Sequence, residues 1–340
     1  MNKFESIQAY CNAVSELAPY KVGWAIGSLD VETLRSFRSA GKRERCYKEF
    51  EIPKKSGGVR RITAPTGTLK DIMSCTADLL SEIYVPSDAA MGFIAGRSVK
   101  TNAEAHLGKC YVLNLDLSDF FPSIDSWMVE SALVRYGVEA LTARLIATIC
   151  CYPKKDEDGK IRNVLPQGAP TSPVLSNMVC RSLDFRLQGL ADYFLLKYTR
   201  YADDLTFSSN HHVYDKDGEF FAELRRIISG NGFTINEAKT RLLVRWHDRR
   251  EVTGLTVGEK VNVSRKWLKN LRAAMHHLEK IHIDAAALRR VEGKVNYLGM
   301  IKGKEDPTYR RLRNRLRRVK YLWKQRQKAL AQETAPFETE

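Results

Sequence analysis

The sequence lacks the features that mark secreted, membrane-spanning and zinc-binding proteins. Its seven cysteines are scattered, odd in number and free of C-x-x-C spacing, which fits neither a disulfide framework nor a zinc site. No stretch approaches the roughly 20 uncharged apolar residues that a transmembrane helix needs. Residues 1–20 carry scattered charges where a signal peptide would have an apolar run. We therefore expect the cysteines to be small buried hydrophobic residues, and the protein to be cytoplasmic.

Internal repeats and low-complexity linkers are also absent, which favours subdomains of one body over separate domains. Of the 340 residues, 44% are apolar and 28% are charged, as in an ordinary globular protein. Helical periodicity is found within 1–45, at 69–84, 126–136, 141–151, 174–190 and 220–231, and beyond 263, with breaks near Gly293, Gly299 and Asp306. Strand patterns are found at 49–65, with a hairpin turn at 56–58, and at 111–117, 195–201, 205–207, 233–235 and 242–246. This mixture predicts an α+β protein.

Positive charge is abundant, and it is concentrated near the C terminus. The formal net charge is +15. Residues 258–328 hold 21 Lys or Arg against 6 Asp or Glu, whereas the first 257 residues hold 34 against 31. Such one-sided charge is the electrostatic footprint of a surface that follows a phosphate backbone. A solvated helix face is the alternative, but the signs of the charges do not alternate from 309 to 328.

Two adjacent carboxylates, Asp203 and Asp204, lie between two strand-forming runs. Neighbouring strand residues point to opposite faces, so the pair can serve one site only from a hairpin tip. Like charges held so close repel, and a divalent cation is the simplest compensation. A polar turn without function is the alternative, because Asp is common in turns.

Asp116 lies near the end of the strand predicted at 111–117, about ninety residues before that pair. If the two strands are neighbours in one sheet, the three carboxylates converge. Oxygen-rich clusters of this kind suit Mg²⁺. Two such ions about 4 Å apart can activate an attacking hydroxyl and stabilise a leaving pyrophosphate, as in polymerases.

Four sequence motifs resemble those of reverse transcriptases and occur in that family's order. They are Asp116-Leu117-Ser118-Asp119-Phe120-Phe121, the loop from Gln167 to Pro173 with Leu175-Ser176-Asn177, the Tyr201-Ala202-Asp203-Asp204 box, and Gly232-Phe233-x-Ile235-Asn236-x-x-Lys239-Thr240. Two short elements, Asn102-Ala103-Glu104-Ala105-His106 and Val252-Thr253-Gly254, resemble those that mark the bacterial retron branch. The sequence is therefore identified as similar to the retron reverse transcriptases.

The resemblance implies a right-hand polymerase fold with fingers, a palm with an antiparallel sheet, and a helical thumb. We expect a helical N-terminal extension at 1–45, fingers at 46–110 and a palm at 111–257 that contains an inserted fingers segment near 126–165. A basic helical thumb at 258–330 and an acidic tail at 331–340 complete the prediction.

The resemblance also supplies positions for the expected roles. Asp116, Asp203 and Asp204, with the Leu117 carbonyl, would hold two Mg²⁺ ions. The nucleotide site would use cationic and aromatic side chains and a loop: Lys54 or Lys55, Arg60 or Arg61, Phe121 beside the sugar 2′ position, Gln167, Gly168, and Lys239 as a proton donor to pyrophosphate. The RNA-binding residues would be Asn102, His106, Lys294, Tyr297, Arg310, Arg313, Arg317 and Arg318. Sequence alone leaves the choice within the Lys and Arg pairs open, and Phe121, His106 and Lys239 could instead be a core aromatic, a core histidine and a solvated lysine.

These expectations together describe an RNA-directed DNA polymerase. Its substrates would be dNTPs and a cognate structured noncoding RNA, and its product RNA-linked single-stranded DNA, primed from an RNA 2′-OH. The resemblance further implies a separately encoded effector protein, a role in defence against phage, and an oligomer that could form through the ribonucleoprotein complex. Alternatives are a reverse transcriptase of group II intron or diversity-generating type, and a non-catalytic RNA-binding scaffold.

Overall fold

A computed structural model describes residues 3–24, 29–54, 57–156, 158–280 and 284–333. Its α-helices are α1 (Ile7–Lys21), α2 (Val31–Ser36), α3 (Ala40–Arg45), α4 (Gly67–Ile83), α5 (Val99–Glu104), α6 (Ser126–Arg135), α7 (Ala140–Cys150), α8 (Ser172–Val179), α9 (Arg181–Tyr193), α10 (Glu219–Gly230), α11 (Arg265–Lys280), α12 (Ala285–Lys302) and α13 (Pro307–Glu333). Its strands are β1 (Tyr47–Pro53), β2 (Val59–Pro65), β3 (Tyr111–Asp116), β4 (Tyr152–Lys155), β5 (Ile161–Val164), β6 (Lys197–Tyr201), β7 (Asp204–Ser209), β8 (Arg241–Val244), β9 (Glu251–Val252), β10 (Leu255–Val257) and β11 (Val261–Asn262). The α+β prediction is confirmed.

The chain divides into two compact units. The first comprises 1–98 and 111–242, and the second comprises 99–110 and 243–340. The segment 99–110 thus groups with the C-terminal part of the chain. The finer division into fingers, palm and thumb stays a prediction, and residues 334–340 of the expected acidic tail lie outside the described residues.

A four-stranded sheet has the strand order β6-β7-β3-β8, and its β6–β7 and β7–β3 pairs are antiparallel. Strands β6 and β7 form a hairpin, and β3 pairs with the other edge of β7. The middle strand β7 is buried at every residue from Leu205 to Ser209, so both of its faces are covered and its sequence does not alternate. The sheet therefore lies inside the core, and its functional residues lie where strands end.

Helices pack around this sheet through apolar stripes at helical spacing. In α1 the buried residues include Tyr10, Val14 and Ala18, which pack with Ile72 and Leu79 of α4 in one hydrophobic core. Five of the seven cysteines, at positions 11, 75, 150, 151 and 180, are buried, and all seven are free thiols. The prediction that they act as small hydrophobic residues is confirmed for those five.

Two predictions about secondary structure in the first unit were wrong. The helix predicted at 174–190 is two helices, α8 and α9, which meet at Cys180. No proline or glycine marks this break, so periodicity alone does not reveal it. Residues 233–235 form no strand, since only Ile235 makes an isolated bridge, to Leu117.

The second unit combines a small antiparallel sheet with three long helices. The sheet has the order β11-β10-β9 and packs against α5. Helices α11, α12 and α13 pack against one another, and the buried apolar residues of α13 include Leu312, Leu316 and Val319. Two ion pairs, Glu279 with Arg315 and Glu292 with Lys320, join α13 to α11 and α12.

The breaks predicted at Gly293 and Gly299 do not occur, because α12 runs through both residues. Gly299 instead permits a close approach of two helices. A Cβ atom at this position would lie 2.5 Å from the ring of Tyr309 in α13. Glycine here serves packing, which explains its presence in a helix despite its low helix propensity.

No described helix is both long enough and apolar enough to cross a membrane.

Candidate active site

The aspartate pair lies at the tip of the β6–β7 hairpin, as predicted. Tyr201 ends β6 and pairs with Asp204, the first residue of β7, so Ala202 and Asp203 form a two-residue loop. Ala202 has a φ of 58°, in the left-handed region that costs a non-glycine residue roughly 1–2 kcal/mol. The carbonyl of Asp203 accepts a hydrogen bond of 3.0 Å from the Leu117 N–H. This bond holds the tip against the residue that follows β3.

Asp116 is brought to the same place by strand register. It ends β3 and lies directly opposite Asp204 in the antiparallel ladder. Lys239 Nζ lies 2.9 Å from both carboxylate oxygens of Asp116. Asn236 donates its backbone N–H to the Asp116 carbonyl at 2.7 Å and its side-chain Nδ2 to Oδ2 at 3.3 Å. The three carboxylates predicted to converge are thus neighbours, and a lysine sits beside one of them.

Crowding of these carboxylates changes their ionisation. Burial raises the pKa of Asp203, and the charge of Asp116 adds to this, while Lys239 and Arg60 lower it. Burial, followed by the charges of Asp203 and Asp116, raises the pKa of Asp204 to about 7. Asp204 is exposed as a residue, so it loses only part of its hydration. Below about pH 7 Asp204 therefore keeps a proton, which reduces the repulsion among the three carboxyl groups.

The donor set fits a hard divalent cation, because carboxylate oxygens are the ligands that Mg²⁺ prefers and the mutual repulsion of the aspartates would be relieved by one. Among the described residues, no group of three or more His, Cys, Asp or Glu side chains is already arranged to hold a metal ion. Both oxygens of Asp116 are engaged by Lys239. A cation held by all three aspartates would share the Asp116 carboxylate with Lys239, since an ionised carboxylate offers about four lone-pair sites.

The β1–β2 hairpin carries the cationic residues expected near the nucleotide. Arg61 forms an ion pair with Glu49 across the hairpin, at 2.6 Å. The charge of Arg60, by contrast, lowers the pKa of Asp203, and successive strand residues point to opposite faces. Arg60 is therefore the arginine that faces the aspartates. Lys54 is exposed at the end of the hairpin, and Lys55 lies outside the described residues.

Gln167 and Gly168 form a loop that packs on β2. The Gln167 carbonyl accepts a hydrogen bond of 2.9 Å from the Thr63 N–H. Gly168 has a φ of 133°, and a Cβ there would lie 2.8 Å from Ile62. Only glycine permits this close approach of the loop to β2.

Phe121 is half-buried within a group of aromatic side chains. Its ring centroid lies 5.3 Å from that of Phe120 and 6.4 Å from that of Phe93. Phe120 is buried and stacks on Phe233. Phe120 is thus the core aromatic of the pair, while Phe121 keeps a solvent-facing edge.

Asn102 and His106 do not lie on a surface, which corrects their assignment as RNA-binding residues. Both are in the second unit, and they are 1% and 0% exposed. Asn102 Nδ2 donates to Thr253 Oγ1 at 3.5 Å, and Thr253 Oγ1 donates to the Val99 carbonyl at 3.4 Å. The two elements that suggested the retron branch therefore pack against each other. Motif resemblance had located them, but only the fold shows that they face the interior.

The remaining RNA-binding candidates lie on α12 and α13. Lys294 is exposed, and the half-buried ring of Tyr297 lies 5.6 Å from that of Trp267. Five arginines among the described side chains of α13 are exposed, and four of them are the predicted RNA-binding residues. Arg310 pairs with Glu305, and Arg313 lies over the Tyr309 ring. Arg317 and Arg318 form no ion pair with the described residues.

Sequence reasoning gave no role to Asn236, although it lies in a quoted motif. Its two hydrogen bonds to Asp116 make it the residue that fixes the end of β3. A polar residue three positions before Lys239 was the only available signal. Its partner, 120 residues away, could not be read from the sequence.

The sequence is similar to those of known proteins over most of its length. Residues 52–301 match the reverse transcriptase (RNA-dependent DNA polymerase) family. The chain is 36% identical over 291 residues to the retron Mx65 reverse transcriptase of Myxococcus xanthus, covering 82% of this chain and 67% of that protein. It is 35% identical over 287 residues to the retron Ec86 reverse transcriptase of Escherichia coli, covering 84% of each chain.

Among solved structures, telomerase from Candida albicans in complex with a TWJ fragment of telomeric RNA matches 81% of this chain and 63% of that chain, with 11% identity and a TM-score of 0.39. This likeness is too low to carry an argument. The family match and the two retron relatives suffice: the chain belongs to the reverse transcriptases, and within them to the retron reverse transcriptases, which are RNA-directed DNA polymerases.

Proposed function

We propose that this protein reverse-transcribes a cognate structured noncoding RNA into single-stranded DNA that stays linked to the RNA. One observation carries the proposal: Asp116, Asp203 and Asp204 come together at the end of β3 and the tip of the β6–β7 hairpin, in a chain that belongs to the retron reverse transcriptases. The relatives' names support the polymerase, and the chemistry of the aspartates supports the metal-dependent mechanism.

Asp116 and Asp203 would hold two Mg²⁺ ions, with Asp204 and the Leu117 carbonyl as further ligands. Bound Mg²⁺ supplies activation of the attacking hydroxyl and charge compensation for the leaving pyrophosphate. The chain itself orients the ligands. Asn236 fixes Asp116, and the Leu117 N–H fixes the hairpin tip through the Asp203 carbonyl. Lys239, which lies beside Asp116, would donate a proton to the pyrophosphate.

The incoming dNTP would lie between these aspartates and the β1–β2 hairpin. Arg60 is the better candidate for gripping the triphosphate, because Arg61 is already paired with Glu49 and the charge of Arg60 reaches Asp203. Lys54 would add charge near the end of the hairpin. Gln167 and Gly168, held on β2, would contact the base and sugar, and Phe121 would exclude a 2′-hydroxyl.

The RNA would be held by the basic helices of the second unit. This surface would comprise the exposed Lys294, the partly exposed Tyr297 and four exposed arginines of α13, at positions 310, 313, 317 and 318. It is suited to RNA, which proteins recognise by shape and by phosphate and 2′-hydroxyl contacts. Asn102 and His106 would not contact the RNA. They are buried in the second unit, where α5 packs against the small sheet. Priming from a 2′-OH of the RNA, a separately encoded effector and a role in defence against phage complete the proposal.

Nucleotide incorporation tests the polymerase directly. On a primed RNA template with dNTPs and Mg²⁺, Asp203→Ala should lower the rate by about 1,000-fold, because a metal ligand contributes several kcal/mol of transition-state stabilisation. Asp192→Ala, which removes an exposed carboxylate from α9, is the matched control and should keep the wild-type rate. Equal rates for wild type and Asp203→Ala would refute the proposal.

The nature of the product needs a second measurement. Nucleic acid that copurifies with the wild-type protein should contain DNA joined to RNA at a branched nucleotide, and sequencing across the junction would identify both. A linear product primed from a 3′ end would favour an intron or diversity-generating type of reverse transcriptase. Bound RNA without any DNA would favour a scaffold.

A further inference from the structure

A buried ion pair lies directly behind the aspartate tip. Arg200, the last residue but one of β6, is 0% exposed, and Asp184 of α9 is 2% exposed. Arg200 donates from Nε to Asp184 Oδ1 at 2.7 Å and from Nη2 to Oδ2 at 2.8 Å, which is the parallel two-bond arrangement of an arginine and a carboxylate. Burying both charges is costly, so such a pair is weak evidence of a contribution to stability alone.

The remaining nitrogen of the guanidinium reaches the catalytic turn. Arg200 Nη1 donates to the Asn177 side-chain oxygen at 3.0 Å and to the Ala202 carbonyl at 3.3 Å. Ala202 holds the left-handed conformation and immediately precedes Asp203. The bond to its carbonyl therefore acts on the one backbone unit whose orientation decides how Asp203 is presented.

Asp184 is held in turn from two further directions. Ser87 Oγ donates to its Oδ2 at 2.9 Å, and Tyr198 OH donates to its Oδ1 at 3.0 Å. With the two bonds from Arg200, the carboxylate accepts four hydrogen bonds. Because all four bonds hold the Asp184 carboxylate in place, it fixes the Arg200 guanidinium in one orientation.

The segment before α5 closes the other side of the turn. The Met91 N–H donates to the Arg200 carbonyl, and the Arg200 N–H donates to the Ala89 carbonyl, both at 2.7 Å. A Cβ added to Gly92 would lie 2.8 Å from the Ala202 backbone nitrogen. The turn is thus enclosed by backbone on one side and by the guanidinium on the other.

We propose that Arg200 and Asp184 are positioning residues, which fix the Ala202 peptide and thereby aim the Asp203 carboxylate. This rests on the proposed polymerase function. Lysine at position 200 would keep the positive charge, but its single ammonium group could not bond Asp184 in two places and reach Asn177 and Ala202 as well. A misplacement of about 1 Å at a reacting group can cost about 100-fold in rate.

Steady-state and single-turnover kinetics of Arg200→Lys and Asp184→Asn test the proposal. The amplitude of the first-nucleotide burst counts competent enzyme, so unfolded protein does not lower the measured rate constant. We expect kcat per competent site to fall by about 100-fold, with the KM for dNTP within about threefold of wild type. Wild-type kcat in both variants would overturn the proposal.

Arg43→Lys is the matched control, because Arg43 is also a buried arginine, 1% exposed, but binds the Phe37 and Arg38 carbonyls and Asn163. It should lower the melting temperature and leave kcat per competent site unchanged. If Arg200→Lys does not fold, Tyr198→Phe decides, since it removes only one hydrogen bond to Asp184: a several-fold fall in kcat supports the proposal, and an unchanged kcat overturns it. An inactive wild type would instead refute the polymerase function.

Discussion

Asp204 is the residue whose ionisation most directly reports the state of the site. Its pKa is raised from the ordinary 3.8 to about 7. Between these values the folded protein keeps a proton that the unfolded chain has lost. The free energy of unfolding of the cation-free protein should therefore decrease as the pH rises through this window and level off above it.

Thermal unfolding between pH 4 and 8 in the presence of a chelator measures this effect. Asp204→Asn cannot ionise, so its melting temperature should fall less than that of the wild type over the same range. Added Mg²⁺ should stabilise the wild type more at pH 8 than at pH 6, because it binds the ionised carboxylates. Parallel profiles for the two proteins would show that Asp204 titrates at its ordinary pKa.

The residues of the candidate site were largely accessible from the sequence, whereas their partners were not. Two adjacent aspartates between strand patterns predicted the tip, and Asp116 at the end of a strand predicted the third carboxylate. Lys239 and Asn236 bind Asp116 from more than 100 residues away in the sequence. Arg200 bonds the Ala202 carbonyl in the buried core. Such contacts depend on register and burial, which hydrophobic periodicity does not specify.

At the scale of elements, the packing of α12 against α13 depends on Gly299. Gly299→Ala would place a Cβ 2.5 Å from the Tyr309 ring, and overpacking of this kind costs about 1–3 kcal/mol. At Gly293, in the same helix, an added Cβ would have no neighbouring atom within 4 Å. Gly293→Ala should therefore stabilise the protein by up to about 1 kcal/mol, since alanine is the better helix former.

Urea denaturation of the two variants separates these effects, with midpoints shifted in opposite directions. Tyr309→Leu combined with Gly299→Ala should recover part of the loss, because the smaller side chain leaves room for the added methyl group. If Gly299→Ala were as stable as Gly293→Ala, the close approach of the two helices would not exist in solution.

Glycines also explain why element boundaries were predicted unevenly. Gly57 and Gly58 mark the hairpin turn correctly because both have a positive φ. Gly293 and Gly299 were predicted to break the helix by the same reasoning. At Gly293 neither the φ nor the packing requires glycine, whereas at Gly299 the Tyr309 ring of the neighbouring helix does. The break at Cys180 carries no glycine at all. Local sequence cannot distinguish a glycine needed for its φ from one needed for its size.

At the scale of the molecule, the basic helices predict strongly salt-dependent RNA binding. Replacing Arg313, Arg317 and Arg318 together with glutamine should weaken binding and reduce the slope of log K against log salt by about two units, since each lost phosphate contact removes about 0.7. Titrations of labelled cognate RNA at several salt concentrations measure both quantities.

A second triple variant controls for loss of charge. Arg144, Arg181 and Arg226 are exposed arginines of the first unit, and their replacement by glutamine should leave the slope unchanged. Equal losses in the two triple variants would mean that net charge, and not the α13 surface, attracts RNA.

The division of the chain into units was the feature least accessible from sequence. Composition located the basic C-terminal part, but nothing in 99–110 shows that this segment packs with residues that follow 243. Asn102 and His106 look like surface recognition residues when read as a motif, and their burial is evident only once Thr253 is beside them. Long-range pairing of this kind leaves no local periodic signal.

That pairing bears on how the protein is made. A ribosome produces α5 roughly 150 residues before it produces the small sheet that α5 packs against, a delay of roughly 8 to 30 s at 5–20 residues per second. During this time the buried residues of α5, Asn102 and Ala103, lack the sheet that later covers them. The second unit can begin to assemble only when synthesis has passed β11, so the N-terminal unit has the opportunity to fold first.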